Sequence, residues 1–147
     1  MKRVFIAGFI ISFLLLVIFI SNPHQRLNTK LVSINNHLLT VETADTDEKR
    51  TQGLSNRERL GQNDGMLFIF PSPSYYRFWM KEMKFPLDFI WIKKDTIVDL
   101  TQDISPPKLP DESLPTFTSK FPFDKVIELN AGEVKSLNIK IGDRILL

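Results

Sequence analysis

The 147-residue sequence contains no cysteine. This absence excludes disulfide bonds, thiolate metal sites, cysteine nucleophiles and acylation of a lipoprotein-type cysteine. Histidine is scarce as well, with two residues in the whole chain. Of these, only His37 falls in the globular region defined below, and a lone histidine without neighbouring ligands is typical of a surface residue. We therefore expect no bound metal and no cofactor.

Common catalytic motifs are also missing. The chain has no GxSxG, no HExxH and no glycine-rich phosphate loop. Asp95, Asp99 and Asp103 recur at a spacing of four, but on a strand and its following loop this spacing does not converge on one ion. We identify no catalytic residue from these patterns, and the sequence favours a protein that is not an enzyme.

Positive charge is concentrated near the N-terminus. The formal net charge is +2, but Lys2, Arg3 and Arg26 supply three of the 19 basic residues, leaving 16 basic against 17 acidic residues. No basic block remains in the rest of the chain. The distribution therefore argues against a nucleic-acid partner.

One long apolar run stands at the start of the chain. From Val4 to Ile20 all residues are apolar or small, with Ser12 the single hydroxyl residue. As a helix the run would be roughly 26 Å long, close to the thickness of the hydrocarbon core of a bilayer. Lys2 and Arg3 precede it, so the positive-inside rule places the N-terminus in the cytoplasm and the remainder outside it.

A cleaved signal peptide is the alternative interpretation of this run. Signal peptides have a shorter apolar region and small residues before the cleavage point, and the stretch before Pro23 lacks that pattern. We therefore predict a transmembrane signal anchor over residues 1–21, a polar stalk over residues 22–30 and an extracytoplasmic globular domain over residues 31–147.

The globular domain has the pattern of a β protein. Short apolar runs bounded by turn residues recur about every 8–12 residues, which is typical of a compact β-sandwich or barrel. The Asn35-Asn36 pair suits a tight hairpin turn, because asparagine tolerates a positive φ. The predicted strands cover residues 31–34, 37–43, 66–70, 75–80, 87–92, 96–101, 125–129 and 144–147.

A helical insertion is predicted between the second and third of these strands. Two stretches, beginning at Asp45 and Ser55, have an N-cap acceptor followed three residues later by glutamate, which is the capping-box pattern. A glycine follows each stretch where a helix would end. The pattern predicts helical turns over residues 46–52 and 56–60.

The strand at residues 87–92 is apolar on both faces and contains one carboxylate. Side chains alternate along a strand, so Leu87, Phe89 and Trp91 share one face and Asp88 lies on the other. This pattern predicts a central strand. A buried charge needs a partner, because an unpaired one is costly.

We expect Asp88 to meet Arg57 and Lys81 close to Trp79. One interpretation is structural, with the ion pair holding the helical insertion on the sheet. The other is functional, with Trp79 and Tyr76 as an aromatic platform and the charged residues binding a polar ligand such as a glycan or peptide. The candidate ligand-binding residues are Trp79, Lys81, Asp88, Arg57 and Tyr76.

The order of motifs resembles the bacterial and archaeal family called domain of unknown function 192. The resemblance extends over most of the globular region. The matching pieces are EKRTQGL at Glu48, Arg57 and Leu60, GMLF at Gly65, Phe70, FWMK at Phe78, PLD at Pro86, ELNAG at Glu128 and GD at Gly142.

The chain departs from the family pattern at two places, Ser55 and Glu82-Met83. At the second place, Glu82-Met83 stands where the family usually has Asn-Thr, directly after the Trp79 motif. The resemblance therefore does not extend to a polar contact made by that asparagine. The resemblance implies a jelly-roll-like β-sandwich or barrel with a small helical insertion, often behind an export signal or anchor. It implies no known reaction.

Three functions are compatible with these observations. The first is a membrane-tethered extracytoplasmic binding or accessory module for envelope material or a partner protein. The second is a hydrolase of cell-envelope polymers that uses Asp88 as acid or base, and the third is a structural domain that assists assembly of a membrane complex. A catalytic carboxylate must reach its substrate. Full enclosure of Asp88 by backbone N–H groups would therefore exclude the second function.

Overall fold

The computed structural model describes residues 28–108 and 114–147. The predicted anchor and the first part of the predicted stalk lie outside these residues. Within the described ranges, no helix is both long and apolar enough to cross a membrane. The elements are β1 (Thr29–Ile34), β2 (His37–Ala44), α1 (Asp47–Gln52), β3 (Asp64–Ser74), β4 (Leu87–Lys93), β5 (Thr96–Ile104), β6 (Phe123–Asn130), α2 (Glu133–Ser136) and β7 (Ile145–Leu146).

The seven strands form one curled sheet in the order β5-β4-β6-β3-β2-β1-β7. Neighbouring strands are antiparallel except for β2 and β3, which are parallel. The edges of the sheet meet, because the Ile97 N–H donates to the Asp143 carbonyl at 2.9 Å and the Ile145 N–H to the Asp95 carbonyl at 2.8 Å. The barrel-like alternative of the prediction is therefore confirmed, whereas a jelly roll of two packed sheets is not what the described strands form.

The two faces of the sheet carry different cores. Aliphatic side chains from all seven strands form one buried cluster, for example Val32, Leu39 and Ile145, so this is the concave inner face. The aromatic cluster draws on β2, β3, β4 and β6 together with covering segments, so it lies on the outer face. The alternation predicted for β4 is confirmed, because Phe89 and Trp91 belong to the aromatic cluster and Ile90 to the aliphatic one.

The helical insertion is shorter than predicted. The N-cap of α1 is Thr46, whose Oγ1 accepts from the Lys49 N–H, and Asp45 instead pairs with the Lys49 ammonium at 2.7 Å. Gly53 ends the helix as predicted, at a φ of 49° that favours glycine. Residues 56–60 do not form a helix. The helical turn predicted from the second capping-box pattern was therefore wrong.

Two strand predictions also need correction. β3 extends through both prolines to Ser74, with a register shift against β6 after Ile69; prolines are tolerated where the ladder is irregular. The predicted strand at residues 75–80 is absent, and only Phe78 forms a bridge, with Phe117. The Phe78 ring lies 5.2 Å from the Trp91 ring. This segment is aromatic because it covers the outer face.

Candidate functional site

Asp88 is fully buried on the inner face, and the described residues that hold it do so through backbone N–H groups. Its Oδ1 accepts from the Asp103 N–H at 2.9 Å, and its Oδ2 accepts from the N–H groups of Gly132 at 2.9 Å and Val134 at 3.0 Å. The predicted contact with Arg57 and Lys81 is therefore wrong. The reason is geometric, because those cations belong to segments that cover the outer face of the sheet.

The hydrogen bonds of Asp88 define a structural role. The carboxylate joins the start of α2 to the end of β5, and it satisfies N–H groups that a helix leaves without partners in its first turn. With 0% of its surface exposed, it does not reach a substrate. A hydrolase that uses Asp88 as acid or base is not compatible with this geometry.

A pocket lies over the outer face instead, between the end of α1 and the segment at residues 77–83. Its volume is about 180 Å³. The buried side chains that form its floor are Leu54, Phe68, Phe78, Met83, Leu87 and Glu128. The rim is exposed and includes Thr51, Gln52, Arg77, Trp79 and Lys81. We call this the aromatic pocket.

Local sequence features build the walls of the aromatic pocket. A Cβ on Gly53 would lie 3.3 Å from the Phe68 ring, and the residue has a positive φ, so glycine permits both the turn and the close approach to the floor. The Ser55 hydroxyl donates to the Lys81 carbonyl at 2.9 Å. The Asn56 amide donates to the Glu82 carboxylate at 2.9 Å. Both departures from the family pattern thus take part in joining the two walls.

Glu128 is the polar group of the floor, and the sequence analysis missed it as a site residue. It is 5% exposed, and burial raises the pKa of its carboxyl to about 8, against the opposing effect of the nearby Arg57 charge. Among the described residues no group forms a hydrogen bond with this carboxyl. The signal was present, because Glu128 is a single acid between Ile127 and Leu129, the same pattern that drew attention to Asp88.

Arg57 is engaged beside the pocket rather than with Asp88. Its two terminal nitrogens donate to the two carboxylate oxygens of Glu42, each at 2.6 Å. This pairing raises the pKa of the Arg57 guanidinium above its ordinary value. Across the sheet, Glu42 is in register with Met66, and Met66 with Glu128. The ion pair and the buried carboxyl therefore share the outer face.

The structure separates the five predicted ligand-binding residues. Trp79 and Lys81 line the aromatic pocket, and Arg57 lies next to it. Tyr76 is not part of the lining, because its ring stacks on Phe70 at 3.8 Å and its hydroxyl donates to the Ser72 carbonyl at 2.8 Å. Asp88 is on the opposite face. In residues 28–108 and 114–147, no group of three or more acidic or histidine side chains is arranged to hold a metal ion.

Comparisons with known proteins agree with the fold. The family model for domain of unknown function 192, described as uncharacterized, matches residues 30–147. A crystal structure of a candidate transcription regulator from Sinorhizobium meliloti shares 33% identity at a TM-score of 0.73, with 82% of this chain and 94% of that chain covered. A crystal structure of a protein of unknown function from Novosphingobium aromaticivorans shares 27% identity at a TM-score of 0.76, with coverage of 86% and 90%. No curated protein matches.

Proposed function

The chain belongs to the domain of unknown function 192 family, and from its aromatic pocket we propose a membrane-tethered, extracytoplasmic binding module that takes one ring-sized group of a small ligand. The pocket combines a mainly apolar floor with a polar and charged rim, and an apolar cavity on which polar groups converge is usual for a small-molecule site. The buried Glu128 carboxyl is the observation that carries the proposal. This carboxyl lines the pocket and has no hydrogen-bond partner among the described residues, so a ligand in the pocket would supply one.

The size of the pocket limits what enters it. An apolar cavity of about 150 Å³ accommodates one benzene molecule. The aromatic pocket, at about 180 Å³, is therefore matched to one ring or one branched group. Sites for drug-sized ligands are about 300–1,000 Å³. A longer glycan or peptide would insert a single unit and leave the rest outside.

The rim supports the same interpretation. Trp79 lines the pocket and is 45% exposed, although a large aromatic side chain ordinarily favours burial. An amphipathic ring at the mouth of a pocket offers a face on which a ligand ring stacks. The tether rests on the sequence, because the apolar run from Val4 to Ile20 has the length and flanking charges of a signal anchor.

Binding is tested with the full-length chain in phospholipid nanodiscs and a panel of single-ring compounds, by saturation-transfer NMR. We expect hits whose signal falls at least fivefold in Trp79→Ala, because stacking on the rim is lost. Tyr75→Ala is the matched control, since Tyr75 is 57% exposed and does not line the pocket. Hits that respond equally to both substitutions, or the absence of any hit, would contradict the proposal.

The topology is tested with single cysteines, because the chain contains none. Gln62 lies in an exposed turn, and Gln62→Cys introduces one accessible thiol. We expect a membrane-impermeant maleimide to label this variant in intact cells. Labelling that requires permeabilised cells would place the domain on the cytoplasmic side and contradict the tether as proposed.

A further inference from the structure

The mouth of the aromatic pocket carries positive charge that no acid in the described part of the chain compensates by an ion pair. Arg77 and Lys81 are exposed on the rim, and neither forms an ion pair with another described residue. The remaining cation of the lining, Arg50, donates to Asp47 at 2.6 Å and to the Ile69 carbonyl at 2.6 Å, so it is already engaged. The uncompensated cations favour a ligand with a negative group at the mouth.

The floor of the pocket offers the opposite kind of contact. The Glu128 carboxyl faces the cavity and lacks a hydrogen-bond partner among the described residues. A protonated carboxyl carries one O–H donor. A ligand oxygen that accepts this hydrogen bond would satisfy the donor, whereas a second carboxylate at the floor would have to be desolvated without a cation in contact.

Resting on the proposed function, we infer that the ligand is a small organic anion: a ring-sized apolar body with a hydrogen-bond acceptor directed to Glu128 and a carboxylate or similar anion directed to Arg77 and Lys81. The two polar contacts lie at opposite ends of the pocket: the contact at the floor requires a hydrogen-bond acceptor, and the contact at the mouth requires a negative charge. A neutral ligand lacks the contact at the mouth. A cationic ligand is repelled there.

Protonation of Glu128 makes the recognition dependent on pH. Three sets of charged groups surround it. On the sheet, Arg57 is paired with Glu42, and on α1, Arg50 is paired with Asp47. Arg77 and Lys81 lie on the segment that covers the outer face. Because burial raises the pKa of Glu128 to about 8, its carboxyl changes charge between pH 7 and pH 9.

The test uses three probes that share one body: 4-acetylbenzoate, 4-acetylbenzamide and 4-acetylbenzylamine. Each has a carbonyl acceptor at one end, and the other end is an anion, a neutral amide or a cation. Dissociation constants are measured by NMR titration of the full-length chain in nanodiscs, with empty nanodiscs as background. We expect the benzoate to bind about fivefold more tightly than the amide and the amine to bind most weakly.

Substitutions identify the two contacts. We expect Arg77→Gln/Lys81→Gln to remove the preference for the benzoate over the amide. Lys93→Gln/Lys140→Gln removes two exposed cations outside the pocket and should preserve the preference. From pH 7 to pH 9 we expect benzoate affinity to fall about tenfold in the native chain, the decrease in the protonated fraction of a group with a pKa of about 8. The Glu128→Gln variant keeps an N–H donor at this position, so its affinity for the benzoate should stay constant between pH 7 and pH 9.

The outcomes separate the inference from the proposed function. Tightest binding by the benzylamine, or equal binding by all three probes, would overturn the anion inference while a binding pocket remains. Benzoate affinity that is independent of pH in the native chain would overturn the contact with Glu128. Failure of all three probes to bind would overturn the binding function and the inference together.

Discussion

Asp88 and Glu128 lie on adjacent strands, on opposite faces of one sheet, and both are buried. Each is an acid flanked directly by two apolar residues, Leu87 and Phe89 for Asp88 and Ile127 and Leu129 for Glu128. On the inner face Asp88 accepts three hydrogen bonds from backbone N–H groups. On the outer face Glu128 receives none from the described residues, and burial raises its pKa. The same local pattern therefore produces a satisfied structural carboxylate and an unsatisfied carboxyl beside a cavity.

The contrast shows how function and stability separate across the sheet. The inner face is closed by all seven strands, and the Asp88 carboxylate there is satisfied by backbone donors of the protein itself. The outer face is closed only by covering segments, and these leave a gap above Glu128. A site that keeps a buried polar group without a partner loses stability in the unliganded state, which is a recurrent property of binding sites.

The largest effect is expected for Asp88→Asn. The amide has one acceptor oxygen, so either orientation leaves at least one buried N–H group without an acceptor. We expect the free energy of unfolding to fall by about 4 kcal/mol and the melting temperature to fall by roughly 10 °C or more. Asp103→Asn is the matched control, because the Asp103 side chain is exposed. A melting temperature of Asp88→Asn equal to that of the control would contradict the structural role.

An effect of opposite sign is expected for Glu128→Gln. The folded chain keeps the Glu128 proton up to a pKa of about 8, whereas the unfolded chain releases it near the ordinary value of 4.5. The folded state thus binds more protons between these values, so the free energy of unfolding of the native chain decreases as the pH rises through this window. The neutral glutamine removes that decrease.

Urea unfolding at pH 5 and pH 8 measures this prediction. We expect Glu128→Gln to be more stable than the native chain by about 4 kcal/mol at pH 8, with a difference of less than about 1 kcal/mol at pH 5. Asp64→Asn, at an exposed acid on β3, is the matched control for the loss of one carboxyl group. Equal slopes for Glu128→Gln and the native chain would show that the carboxyl ionises normally and would remove the contrast with Asp88.

A smaller effect is expected for Arg57→Met. Its ion pair with Glu42 is bidentate, and both side chains are about one-third exposed, at 30% and 28%. We expect a loss of about 1 kcal/mol, near the upper end for ion pairs at a surface. Lys84→Met breaks the more exposed pair with Glu58 and should cost less than about 0.5 kcal/mol. Equal losses in denaturant titrations would show that the Arg57 pair contributes no more than an ordinary surface pair.

Local chemistry made several parts of the fold predictable. Asn35 and Asn36 have φ angles of 51° and 65°, as the hairpin requires, and Gly53 ends the helix. Strand alternation correctly placed Asp88 and Trp91 on different faces. The errors at Asp88 and Tyr76 lie at the next level, because the need of a buried charge for a partner does not identify that partner, and nearness of Tyr76 to Trp79 in sequence does not bring both to one pocket.

The sequence by itself determined most of the strands, the Asn35-Asn36 turn, the family and the presence of a buried acid, because these follow from side-chain period and backbone preference over a few residues. Only the tertiary structure decided which face of the sheet is enclosed and which segments cover the other. Those choices depend on the closure of β5 against the β7 region and on contacts between residues far apart in the chain. They placed Asp88 among backbone donors and left Glu128 in the floor of a pocket.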